Sequence, residues 1–178
     1  MDLQKQSSEG YTENKGVKIF YHDHGPAEGE PILLVHGLGA QLVHWPPHLI
    51  EFLKEHNYRP ITYDNRDVGL SSRFFGKPSF ILDYVKYFLR LPIKSEYTID
   101  DMAEDGINLL DALNIKKAHI LGTSMGGMIA QIISSQFPER VKSLTLIAST
   151  ASTPSPLNAP SKEVRALMME RSKNPNPT

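Results

Sequence analysis

The segment best suited to chemistry is the G-x-S-x-G pattern of residues 122–126, GTSMG, which is centred on Ser124. A short apolar run precedes it and a helical pattern follows it, as in the strand-to-helix turn that exposes a nucleophilic serine. Such a turn strains the backbone at the serine, and the residues two positions away must lack side chains. Gly122 and Gly126 meet that need, and Gly127 gives the helix room to pack. The pattern predicts a serine nucleophile, whereas the alternative is a glycine-rich turn with an incidental serine.

A second segment, VHGLG, closes an earlier apolar run and supports the first interpretation. Acyl transfer requires two backbone N–H donors directed at the oxygen of the tetrahedral intermediate. We expect one donor from Met125, directly after the serine, and the other from Leu38. Gly37 and Gly39 would let this loop approach the reacting atoms closely. The positive amino-terminal end of the following helix would also favour the developing oxyanion.

The elements that position these residues alternate along the chain. Short apolar runs that end at glycine or a polar residue predict strands buried on both faces, and amphipathic segments between them predict helices. This alternation predicts an α/β fold with a mostly parallel sheet and helices on both faces. The pattern also predicts a helix over residues 80–90, with a face towards the core, and a strand over VKSLTLIAST. The domain boundaries that we expect are a mobile tail over 1–16, a core over 17–151 and a linker with further structure over 152–178.

Composition excludes several functional classes. The 178 residues carry a formal net charge of -1, so they provide no concentrated basic face for nucleic acid. There is no Cys, which excludes disulfides, thiolate metal sites and a cysteine nucleophile. The histidines lack metal-ligand spacing, and neither a metal nor an organic cofactor is expected. No segment is long and apolar enough to span a bilayer, and the polar start is unlike a signal peptide, so we expect a soluble, cytoplasmic protein.

Three motifs together resemble the α/β-hydrolase fold superfamily. They are HGLGAQLVHW, YDNRDVGLSS and GTSMGG, and the similarity to esterases, enol-lactone hydrolases, perhydrolases and methylesterases extends over about residues 17–151. The resemblance implies hydrolysis of a carboxylic ester or related acyl bond in a small molecule. It also implies that His36 shapes the oxyanion loop rather than acting as a base. Asp64 and Arg66 would hold the turn that rims the pocket, because a buried charge needs a partner.

The same resemblance implies that the catalytic acid and histidine should lie in the region after Ser124. In that family the catalytic acid and then the histidine follow the serine in the chain. After Ser124 this sequence contains no His and no Asp, and its only acids are Glu139, Glu163 and Glu170. We therefore expect little activity from these 178 residues alone. We also expect the fold to be truncated after about six strands, with 152–178 beginning a cap and the last strand left as an open apolar edge.

Three hypotheses remain open at this point. The chain is the amino-terminal part of a serine hydrolase, whose missing carboxyl-terminal part completes the sheet. Alternatively, it is a natural short form without catalysis that binds a ligand or a protein partner at the open edge. In the third hypothesis, another chain or an unusual base restores the activity of Ser124.

Overall fold

The computed structural model describes residues 7–74, 96–151, 161–163 and 166. In these ranges the strands are β1 (Ser8–Asn14), β2 (Val17–Asp23), β3 (Glu30–Val35), β4 (Tyr58–Tyr63), β5 (Ala118–Thr123) and β6 (Val141–Ile147). The helices are α1 (Pro47–Glu55), α2 (Ile99–Ala112) and α3 (Met125–Gln136), with 3-10 turns at Leu42–His44 and Pro138–Arg140. None of the described helices has the length and apolar character needed to cross a membrane.

The strands form one mostly parallel sheet in the order β1-β2-β4-β3-β5-β6. The strands β4, β3, β5 and β6 are mutually parallel, while β1 and β2 are antiparallel additions at one side. In the central strand, Leu33 lies opposite Ile61 of β4 and Ile120 of β5. All three side chains are buried, as expected for apolar strands covered on both faces. This arrangement confirms the predicted α/β fold.

Helices cover both faces of this sheet, as the sequence predicted. The helices α2 and α3 pack with Leu33 and Ile120 in one apolar cluster. The helix α1 packs with Ile32 and Leu34 in a second cluster on the opposite face. Successive residues of a strand point to opposite faces, so the single apolar run of β3 supplies both clusters.

The predicted mobile tail over residues 1–16 is wrong for Ser8–Asn14, which forms β1 and pairs with β2 along its whole length. Tyr11 lies opposite Phe20, with ring centroids 5.1 Å apart, and Thr12 is buried. Most β1 side chains are polar and exposed, because the strand lies at the edge of the sheet. Polar composition therefore concealed a strand that pairing with β2 stabilises.

Other predictions lie wholly or partly outside the described residues. These are the start of the tail, the helix over 80–90 and most of 152–178.

At the side of the sheet opposite β1, β6 is the outermost described strand. Its Leu144, Leu146 and Ile147 side chains are exposed with respect to the described residues, and the open apolar edge stays a prediction.

Candidate active site

Ser124 lies in a strained turn between the end of β5 and the start of α3. Its backbone has φ 53° and ψ -121°, a conformation that residues with a side chain seldom adopt. The Ser124 N–H donates to the carbonyl of Ile147 at 2.9 Å. Its own carbonyl accepts from the N–H of Gly127 at 2.9 Å and from the hydroxyl of Ser149 at 2.8 Å. Contacts from α3 and from the end of β6 therefore hold the strained backbone in place.

The glycines around Ser124 are required by close contacts between backbone segments. A Cβ on Gly122 would lie 2.6 Å from the carbonyl carbon of Gly126. A Cβ on Gly126 would lie 2.6 Å from the carbonyl oxygen of His36, at the end of β3. A Cβ on Gly127 would collide with the side chain of Ser149. The turn can fold over only because these positions have no side chain.

The loop after β3 approaches the serine side chain directly. A Cβ on Gly37 would lie 3.1 Å from the Ser124 Cβ and 3.6 Å from its Oγ. Gly39 has φ +71°, in the left-handed region that favours glycine. Among the described residues, neither the Leu38 N–H nor the Met125 N–H donates a hydrogen bond to a protein acceptor. With respect to the described residues, one backbone donor on this loop and one at the start of α3 are thus without a protein acceptor.

The buried carboxylate of Asp64 joins two loops beside the site. Its Oδ1 accepts from the N–H of Leu42 at 2.8 Å, in the 3-10 turn that follows the glycine loop, residues 36–41 after β3. Its Oδ2 accepts from the N–H of Leu70 at 2.9 Å, and a Cβ on Gly69 would collide with this carboxylate. Asp64 thus fixes the segment after β4 against the segment after β3.

Arg66 forms a buried, bidentate ion pair with Asp105 of α2. The Nε–Oδ2 distance is 2.5 Å and the Nη2–Oδ1 distance is 2.9 Å, and the side chains are 7% and 2% exposed. The Arg66 Nη2 also donates to the Asp101 carbonyl at 3.3 Å. The rings of Phe74 and Tyr97 lie 5.7 and 5.5 Å from the guanidinium carbon. Burial raises the pKa of Asp105, and the Arg66 guanidinium opposes that rise.

Sequence reasoning missed two buried polar residues at the site. Asp105 interrupts the apolar stripe of α2, between Met102 and Leu109, and this interruption was the available signal. Asn65 is 2% exposed and its Nδ2 donates to the His36 carbonyl at 3.1 Å. No sequence pattern distinguished it from an ordinary loop residue.

His36 lies in the glycine loop but is not hydrogen-bonded to Ser124. Its ring stacks on Trp45, with centroids 4.1 Å apart and planes 25° apart. Its Nε2 is buried and has no hydrogen-bond partner among the described residues. Burial lowers the pKa of His36 to about 4, and His44 adds to this effect. The folded protein therefore holds His36 as a neutral ring near pH 7.

The lowered pKa of His36 predicts that acid destabilises the fold. The ordinary value is 6.5 and the folded value is about 4, so the unfolded chain binds more protons within this window. The free energy of unfolding should fall as the pH drops from about 6.5 towards about 4. His24 has its pKa lowered to about 4 in the same direction, mainly by burial, and should contribute as well.

Urea unfolding at several pH values tests this expectation. His36→Phe keeps an aromatic ring against Trp45 but cannot titrate, so it should lose less stability on acidification than the wild type. His48→Phe, on the exposed face of α1, should retain the wild-type dependence. An unchanged pH dependence in His36→Phe would contradict the prediction.

A cleft of about 370 Å³ is lined by Met125, the residue that follows Ser124 in the chain. Leu38 and Met125, which neighbour the serine turn, line one part of it, and Asp67 and Tyr97 line another. No group of three or more acidic or histidine side chains in the described ranges could hold a metal ion.

Glu139 precedes β6, at the amino ends of the parallel strands, whereas Ser124 follows the carboxyl end of β5. Glu139 therefore lies at the wrong edge of the sheet to serve Ser124.

Comparison with known proteins agrees with this geometry. The profile of a family described as "alpha/beta hydrolase fold" matches residues 30–174. A putative carbamate hydrolase, RutD of Variovorax paradoxus, is 33% identical over 131 residues, covering 74% of this chain and 42% of the relative. The rhodomycin D methylesterase DauP of Streptomyces sp. strain C5 is 32% identical over 131 residues, covering 74% and 39%. The chain thus spans about two fifths of the length of these curated relatives.

Solved structures give the same result for the fold. A hydrolase of 2-hydroxy-6-oxo-6-phenylhexa-2,4-dienoate from Rhodococcus sp. strain RHA1 superposes with a TM-score of 0.70. The match covers 96% of this chain and 55% of that structure at 21% identity, which shows similarity of fold. Est816, described as an N-acyl homoserine lactone degrading enzyme, has a TM-score of 0.61 at 29% identity, covering 79% and 45%.

Proposed function

The chain belongs to the α/β-hydrolase fold family, and on that premise we propose that it is the amino-terminal part of a serine hydrolase. The reaction would be hydrolysis of a carboxylic ester or related acyl bond in a small molecule. The observation that carries this proposal is the strained Ser124 turn, against which the Gly37 loop is packed. The relatives named as a methylesterase and a putative carbamate hydrolase support acyl-bond chemistry.

In the proposed mechanism, Ser124 Oγ attacks the carbonyl carbon of the substrate. The carbonyl oxygen becomes an oxyanion and accepts hydrogen bonds from the Leu38 and Met125 N–H groups. A histidine takes the serine proton and passes it to the leaving alcohol, and an acid orients that histidine. Water then attacks the acyl-serine ester by the same route and releases the carboxylic acid and Ser124.

We assign this histidine and acid to a segment outside the 178 residues. The sequence after Ser124 contains no His, and the chain covers only 42% and 39% of the two curated relatives. The exposed β6 edge, with Leu144 and Leu146, is where further strands of such a segment would pair. The same edge also favours the second candidate function, in which a non-catalytic short form binds a protein partner there.

The mass of the endogenous protein separates these two candidates. An antibody to residues 1–150 would isolate it, and intact mass spectrometry would measure it. We expect a species well above 20.0 kDa, the mass of this chain. A species at 20.0 kDa alone would contradict the assignment to a longer hydrolase and favour the short form.

Labelling with a fluorophosphonate tests the nucleophile itself. In the longer protein, peptide mass spectrometry should find the adduct on Ser124. The label should be absent from Ser124→Ala and retained in Ser135→Ala, a matched change at an exposed position of the same helix. Labelling at another serine would refute the assignment. The 178-residue chain should remain unlabelled, because its serine lacks a base.

A further inference from the structure

The cleft beside Ser124 has one apolar part and one polar part. Leu38 and Met125 line it next to the serine turn, and Met102 of α2 adds a further apolar side chain. Its volume of about 370 Å³ is at the lower end of the range for ligand pockets. The two methionines are flexible enough to adapt to groups of different shape. This part of the cleft therefore suits a small apolar substituent.

The polar part of the cleft is formed by Asp67 and Tyr97. The Tyr97 hydroxyl donates to Asp67 Oδ2 at 2.7 Å, and the Phe74 N–H donates to Asp67 Oδ1 at 2.8 Å. Burial, with Asp67 as a further cause, raises the pKa of Tyr97 to about 12. The tyrosine therefore remains a protonated donor near pH 7, and both carboxylate oxygens of Asp67 are held in place.

Among the described residues that line the cleft, the Asp67 carboxylate forms no ion pair. The Arg66 guanidinium also lines the cleft, but Asp105 already pairs with that cation in a bidentate contact. The Asp67 carboxylate accepts only neutral donors in the contacts described above. The carboxylate of Asp101, which caps α2, adds negative potential nearby. With respect to the described residues, an anionic group in the cleft would therefore meet the negative charges of Asp67 and Asp101.

We propose that this cleft binds an uncharged, largely apolar substituent of the ester and rejects an anionic one, with Asp67 and Tyr97 as the specificity-determining pair. The identity of the ligand as an ester rests on the proposed function. Binding of a ligand in the cleft does not depend on the proposed function, because binding requires no histidine base. The proposal can thus be tested on the 178-residue chain without turnover.

The test is a titration followed by NMR of methyl-labelled methionine. The probes are ethyl butyrate, which is uncharged, and monoethyl succinate, which is of similar size but anionic near pH 7. Ethyl butyrate should shift the Met102 and Met125 methyl signals, which Met→Leu substitutions would assign. Monoethyl succinate should bind ~10-fold more weakly, because its carboxylate approaches Asp67.

Asp67→Asn isolates the charge. The backbone of Asp67 has φ 63°, which asparagine also tolerates, and the amide oxygen can still accept from Phe74. This variant should bind monoethyl succinate more tightly than the wild type does. Its preference for ethyl butyrate over monoethyl succinate should fall to about twofold or less. Asp111→Asn is the control, because it also removes one carboxylate charge but lies about 18 Å along the axis of α2 from Ile99, which lines the cleft. This variant should keep the full preference for ethyl butyrate over monoethyl succinate.

Each outcome bears on the proposal. Equal affinities for the two probes in the wild type, or an unchanged preference in Asp67→Asn, would overturn it. Should Asp67→Asn fail to fold, Tyr97→Phe is the second variant, because it removes a hydrogen-bond donor to the Asp67 carboxylate. The preference for ethyl butyrate should then persist or increase. A decrease in that preference would overturn the proposal. Selective binding by the 178-residue chain, together with no fluorophosphonate labelling of Ser124 in the longer protein, would refute only the hydrolase function. Labelling of Ser124 in the longer protein, without selective binding of the uncharged probe, would refute only the proposal for the cleft.

Discussion

In the longer protein that we propose, Ser124→Ala should lower kcat for p-nitrophenyl acetate by ~10⁴-fold or more, because it removes the hydroxyl oxygen that would form the acyl intermediate. The donors at Leu38 and Met125 are backbone groups and survive the substitution. The variant should therefore keep a similar KM and a small residual rate from oxyanion stabilisation alone. Initial rates at saturating substrate measure the effect on kcat.

Ser135→Ala is the control for this kinetic experiment. It makes the same chemical change at an exposed position of α3, so kcat should stay within about twofold of the wild type. Turnover by Ser124→Ala close to that of Ser135→Ala would show that another residue attacks the ester. Measurable turnover by the 178-residue chain that disappears in Ser124→Ala would contradict our assignment of the base to a segment outside it.

Asp105→Ala destabilises the fold by ~3–5 kcal/mol, because it leaves the guanidinium of Arg66 buried without its partner. The two side chains are 2% and 7% exposed, so water cannot replace the lost carboxylate without opening the structure. The midpoint of urea unfolding measures the change. Glu104→Ala, one residue earlier in α2, breaks an exposed ion pair with Lys15 and should cost far less, because solvent screens that pair.

The double variant Arg66→Met/Asp105→Leu separates charge from packing. Removing both charges and keeping apolar bulk should recover most of the stability lost in Asp105→Ala. A double variant as unstable as the single one would show that shape, rather than charge compensation, dominates at this position. Equal costs for Asp105→Ala and Glu104→Ala would contradict the role of burial itself.

The amino-acid sequence was sufficient for the fold and for the Ser124 turn, because both are encoded by local patterns. Apolar runs such as that of β3 predict buried strands wherever they occur. The glycines at 122 and 126 are required by contacts within a short stretch and with the adjacent strand end, so their spacing alone indicated the turn. The start of α2 is likewise local, because Thr98 and Asp101, three residues apart, form a capping box.

The tertiary structure alone decided features that depend on residues distant in the chain. The polar segment Ser8–Asn14 becomes a strand only because β2 presents an edge to it. Asp105 is buried because Arg66, 39 residues earlier, reaches it from the loop after β4. The cleft requires the glycine loop, the Asp67 turn and the start of α2 to converge. Local sequence fixes which conformation a segment prefers, whereas burial and charge compensation arise from neighbours that only the folded chain brings together.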